Sequence, residues 1–255
     1  MSALARNESL IGLLPVIGLL LVWQVAVSTG VAPPALLPSP VAVFGRFAQN
    51  LIDPSFLGHI WVTLYRLFTG FMIALAIGVP LGLAGATNRI AGAVLKPLVR
   101  VLAPVPKIAL YPALILSLGF DDASKIVLVT ADALFPILLA TFQGAAAVEP
   151  KLVWSARAAG TTPTGTLFKV ILPATLPSIL TGSRIALVVS CIVVFLAEMI
   201  TSTDGLGYLL VRASRNFQTV DMFVPLIAIS AIGLLLNGAL ALARKRLLVG
   251  FPEED

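Results

Sequence analysis

Predominantly apolar runs about as long as a bilayer core recur along this chain, separated by polar stretches. About 20 apolar residues in a helix are needed to cross the hydrocarbon. Six runs qualify: Leu10 to Val31, Trp61 to Thr87, Gly92 to Leu118, Lys125 to Phe142, Pro177 to Ile200 and Met222 to Ala243. The third contains Pro104, Pro106, Lys107 and Pro112, which predicts a bent or interrupted helix whose freed carbonyls neighbouring helices cover. The first is long for a signal-peptide core and shows no convincing cleavage site before the prolines of "APPALLPSP", so it reads as a membrane anchor. The expectation is an all-α, polytopic membrane protein with six transmembrane helices. Residues 1–57 hold the first helix and its connection, 58–243 the main bundle, and 244–255 a basic-to-acidic tail.

One polar interruption is longer than a simple return requires. Helix connections in bundles are usually a few residues, yet Glu149 to Pro173 separates the fourth and fifth runs. Its first half, "VEPKLVWSARAAG", predicts a short helix, with Pro150 in the first turn, alanines favouring helix, and Gly160 at the C-terminal cap. "TTPTGTLFKVILP" reads as a turn into a second helix, with Pro163 early and Leu167, Phe168 and Ile171 as its apolar face. Together they predict a helical knob on a membrane surface, shaped to enter a partner's cleft.

Composition sharpens the class. Hydrophobic residues make up 58% of the 255 positions and charged residues 11%, far from the balance of a soluble domain. The 17 Lys and Arg exceed the 12 Asp and Glu, and the location of the excess gives its meaning. With the N-terminus inside, the inner face holds Arg6, Arg89, Lys96, Arg100, Lys151, Arg157, Lys169, Arg184, Arg244, Lys245 and Arg246. The outer face holds Arg46, Arg66, Lys125, Arg212 and Arg215, with Lys107 left undecided between the two faces. Excess basic charge marks the cytoplasmic side. Both termini and the knob are therefore expected in the cytoplasm, and the net charge is accounted for without nucleic acid.

Few residues suggest chemistry. The single cysteine, Cys191, lies in an apolar run and excludes an internal disulfide. His59 stands alone, without a second ligand at metal-binding spacing. Ser183 and Ser190 have no histidine base nearby. The informative residues are charges at membrane depth: Asp132 in the fourth run, Lys107 in the third, and Glu198 near the outer end of the fifth, followed by Thr201 and Ser202. Such charges face a cavity or a partner. Asp132 and Lys107 either pair with each other or line a pathway, and Glu198 sits at the water interface or at an outer gate. An ion-coupled secondary transporter using Asp132 or Glu198 is the alternative this leaves open, although no inverted repeat is visible.

Gly160, nine intervening residues and then Val170, Ile171, Leu172 and Pro173 resemble the Gly-x9-Ile-x-Leu-Pro cytoplasmic loop motif of ATP-binding-cassette importer permeases. The motif's opening Glu-Ala-Ala aligns with Trp154, Ser155 and Ala156, so the glutamate is missing. "LPSPVAVFGRF", "PVPKIALYPALILSLGF", "ASKIVLV" and "LAEMITSTDGLGYLL" resemble the branch that handles nitrate, sulfonates and taurine. The resemblance implies a type-1 permease in the bacterial inner membrane, paired with a second copy and fed by an extracytoplasmic solute-binding protein. It also implies that Trp154, Ser155, Ala156, Arg157, Ala158, Ala159, Gly160, Thr161, Thr162 and Pro163 dock into a separate ATPase subunit. ATP and Mg would bind that subunit, since no G-x-x-x-x-G-K-[ST] phosphate loop occurs here and this chain is not expected to be an enzyme or to bind a cofactor.

Overall fold

A computed structural model describes residues 2–33 and 35–248, with side chains from residue 14 onward. The Arg6 side chain and residues 249–255 of the expected tail lie outside the described residues. Helix α1 spans Ser2–Ser28, α2 Pro40–Asn50, α3 Pro54–Thr87 and α4 Arg89–Leu102. A 3-10 turn, Lys107–Leu110, leads into α5, Tyr111–Leu118, and α6 follows over Asp122–Ala146. Two short helices, α7 (Pro150–Ala158) and α8 (Pro163–Thr166), precede α9 (Leu172–Thr201), α10 (Leu206–Arg215) and α11 (Thr219–Leu247).

Four helices among the described residues are long and apolar enough to cross a membrane: α3, α6, the continuous stretch Pro163–Thr201, and α11. The α4–α5 pair makes a fifth span if counted as one, broken by an 83° bend. That break falls where Pro104 and Pro106 remove backbone donors, as the sequence predicts. The expected first span is only partly matched, because the apolar stretch of α1 with described side chains, Leu14–Ser28, is shorter than a full crossing. The fifth run also differs from expectation. It does not begin at Pro177 but continues from α8 through a π turn at Leu167–Ile171, where the Leu172 amide donates to the Leu167 carbonyl. Pro173 lies in the first turn of α9, directly after the π turn, and Pro177 lies inside that helix.

Helix α6 is the axis of the bundle. It runs in the same direction as α3 and opposite to α9, and glycines bring all three backbones close. A Cβ on Gly70 or Gly78 of α3 would crowd Val129 or Ile137 of α6, and one on Gly82 would crowd Thr141. On the other flank, Gly144 of α6 faces Ser178 and Gly182 of α9 faces Ala140. Small residues let helices in lipid gain van der Waals contact that larger side chains would block. Leu67, Ala74, Leu128, Ala133, Ile137, Ala186 and Val194 fill the seam between them. In contrast, Leu234 and Leu235 of α11 are each 73% exposed, an apolar face left for lipid or another chain.

Candidate functional site

The two ends of this bundle differ in kind. At the end where α3 and α6 begin and α9 finishes, a buried Arg66 gathers carboxylates from three elements. Its Nη1 donates to Glu198 Oε1 at 2.9 Å and to Ser202 Oγ at 3.1 Å. Its Nε donates to Asp122 Oδ1 at 2.7 Å, and its Nη2 reaches Asp204 Oδ1. The Glu198 side chain is fully buried and Arg66 nearly so, whereas Asp122 and Asp204 are about half exposed, at 45% and 44%. A guanidinium presents five donors in a rigid fork, which allows one side chain to tie α3, α6, α9 and the α9–α10 loop together.

Backbone geometry completes the cluster. Glu198 also accepts from Thr63 Oγ1 at 2.9 Å and from the Gly207 amide at 3.0 Å. Thr63 in turn accepts from the Leu206 amide at 2.9 Å, and His59 Nδ1 accepts from the Gly205 amide at 3.0 Å. Gly205 has φ +93°, and any Cβ there would overlap the Glu198 carboxylate. The loop thus folds over the carboxylate so closely that only glycine fits. A buried carboxylate with this many donors is held in one fixed position.

The sequence expectations meet this arrangement unevenly. Glu198 and Ser202 fall inside the cluster, and Thr201 lies beside it, bonded to the buried Tyr111 hydroxyl at 2.8 Å. Arg66 and Lys125, read as ordinary surface charges, are instead buried, with Lys125 Nζ donating to the Phe120 and Asp121 carbonyls. The charge of Arg66 within "LYRLF" is the signal that sequence reasoning passed over.

Lys107 and Asp132 do not form an ion pair. Lys107 is buried in the α4–α5 break, where Nζ donates to the Ala103 carbonyl at 2.8 Å and lies 4.3 Å from the Phe135 ring centroid. Asp132 is half-buried on α6, and no ion pair within 4 Å joins the two among the described residues. The reason is local: the break frees the Ala103 carbonyl, and the lysine folds back to satisfy it instead of reaching across.

The opposite end carries α7. None of its residues is buried, and Leu152, Trp154 and, beyond the turn, Phe168 are 50%, 66% and 59% exposed. Gly160, at φ +82°, closes the helix: its amide donates to the Arg157 carbonyl and that of Thr161 to Ala156, the paired bonds of a Schellman cap. Thr162 then caps the next helix, its Oγ1 accepting from the Gly165 amide at 3.1 Å. A rigid, outward, partly apolar knob results, and its first helix ends where the sequence places the cap.

A model of the family described as the binding-protein-dependent transport system inner membrane component matches residues 78–248, from the second half of α3 to just past the end of α11. The chain belongs to this family. It is similar to the putative aliphatic sulfonates transport permease SsuC of Bacillus subtilis, 33% identical over 92% of this chain and 85% of that one. It is also similar to the taurine transport system permease TauC of Escherichia coli, 31% identical over 90% of this chain and 84% of that one. The fold resembles that of a chain in an inward-facing structure of the MetNI methionine ABC transporter, with TM-score 0.66 and 20% identity, covering 74% of this chain and 94% of that one. This chain is therefore a multi-pass inner-membrane permease of the ABC importer class, a transport subunit and not an enzyme. An ion-coupled secondary transporter is not favoured.

Proposed function

We propose that two copies of this permease form the pathway of an ATP-driven importer for a small sulfonate, taurine or related polar solute. The cargo class follows the relatives' names, aliphatic sulfonates and taurine. An extracytoplasmic binding protein delivers the solute, and separate ATPase subunits, holding ATP and Mg, engage residues Trp154 to Pro163 from the cytoplasm, where both termini also lie. Closure of the ATPases around ATP moves the knobs and switches the pathway between its two faces by rigid-body motion.

The observation that carries this reading is the exposure of α7. A helix with no buried residue and an exposed tryptophan, held rigid by a cap at each end of its turn, gains nothing from its own fold. Its apolar side chains are free for a partner. Replacement of Trp154 by Glu tests the idea: the purified permease should keep its melting temperature but lose co-purification with its ATPase. Retention of the ATPase at wild-type stoichiometry would contradict the docking role.

A further inference from the structure

Helix α10 ends on the surface at the Arg66 end of the bundle with groups that the proposed transport cycle leaves unused. Arg212 and Arg215 are exposed in its last turn, and neither has a carboxylate within 4 Å among the described residues. Other cations at this end are committed. Arg46 pairs with Asp221 at 3.0 Å, Arg66 holds three carboxylates, and Lys125 is buried on two carbonyls. Arg212 rests 5.6 Å from the Tyr208 ring centroid, which steadies the guanidinium without neutralising it.

Two hollows flank Arg212. One, of about 390 Å³, is walled by Tyr208, Arg215, Asn216 and the Glu198–Ser202 end of α9. The other, of about 260 Å³, has His59, Asp53 and Gln218 in its wall. Two residues past Arg215, Phe217 is 92% exposed at φ +56°, the one non-glycine residue with positive φ among the described residues. A bulky side chain seldom adopts that conformation. Here the amides of Asn216, Phe217 and Gln218 all donate back to carbonyls of residues 212–214, so the corner is tied from within and the ring is held outward.

We infer that this corner is a docking surface for an acidic face of the extracytoplasmic solute-binding protein, with Phe217 as apolar anchor and Arg212 and Arg215 receiving carboxylates. The inference rests on the proposed orientation and deepens it by naming where the delivery partner sits. Aromatic and arginine side chains are the residues enriched at the energetic centres of protein interfaces. Lipid is the poorer occupant, because acyl chains lying over Arg212 would bury a guanidinium that has no counter-ion. Ser202, in the wall of the larger hollow, accepts from Arg66 Nη1, so a carboxylate seated there lies next to the network that fixes α9 to α10.

The test compares R212E/R215E and F217A with wild type as full permease–ATPase complexes in nanodiscs, using the purified solute-binding protein as probe. Binding of the double variant should be at least about tenfold weaker, and wild-type binding should weaken as salt rises. Basal ATPase and melting temperature should be unchanged, while stimulation by the binding protein is lost. Unchanged affinity and stimulation in the double variant, with wild type transporting normally, would overturn the docking surface alone. Effects that follow the anionic-lipid content of the nanodisc, with stimulation intact, would assign the corner to lipid and also overturn it. A wild-type complex with neither stimulation nor ATP-driven uptake would instead sink the importer reading, and this inference with it.

Discussion

Arg66 on α3 and Glu198 on α9, 132 residues apart, meet at 2.9 Å with both side chains almost wholly withdrawn from solvent. Removing one partner of such a pair leaves an uncompensated buried charge, which costs about 3–5 kcal/mol. Arg66→Ala should therefore lower the detergent melting temperature sharply. Glu198→Gln should cost less, about 1–3 kcal/mol, because it removes the charge yet keeps an acceptor for the Gly207 amide. Thermal unfolding of the two variants side by side checks the order, and equal stability to wild type in Arg66→Ala would contradict it.

Gly160 and Gly205 both adopt left-handed backbone, but only one is enclosed. A Cβ at Gly160 meets nothing within 4 Å, whereas at Gly205 it meets the Glu198 carboxylate. Gly160→Ala should cost only the backbone strain, about 1 kcal/mol, and Gly205→Ala distinctly more, with a melting temperature lower by several degrees. Circular-dichroism melts of both variants decide the matter. A larger loss at Gly160 would mean that α7 packs against this chain more tightly than its exposure indicates.

Lys107 and Asp132 supply the contrast. With no ion pair between them, a cycle with Lys107→Met and Asp132→Asn should show weaker coupling than the Arg66–Glu198 cycle. Stability of the single and double variants in detergent reads both. Strong coupling between Lys107 and Asp132 would require the lysine to leave the Ala103 carbonyl.

What the sequence discloses and what it conceals follow from the range of the interactions involved. Helix α7 is legible because Pro150 and Gly160 set its limits within a dozen residues. The break before Lys107 is legible for the same reason, since the prolines act on their own helix. The Arg66 cluster is not, because its partners stand 56 to 138 residues away and only the packing of α3, α6 and α9 on their glycines brings them together. Lys107 and Asp132 mislead in the opposite sense. Adjacent spans place them near each other, but side-chain direction at a helix break is set by the nearest freed carbonyl.

Orientation is tested by single cysteines at Asn88 and Phe217, both exposed and at opposite ends of the bundle. In intact cells, an impermeant thiol reagent should modify the cysteine at 217 and spare that at 88, with both modified after lysis. Labelling at 88 alone in intact cells would invert the topology and move α7 away from any cytoplasmic ATPase.

Uptake of radiolabelled taurine into proteoliposomes holding the permease, its ATPase and its binding protein measures ATP-driven import itself. Accumulation should require ATP together with all three components, persist when proton and sodium gradients are collapsed, and vanish when Trp154→Glu replaces the wild-type permease. Accumulation by the permease alone, driven by an ion gradient and indifferent to ATP, would make it a secondary transporter and not an ABC importer subunit.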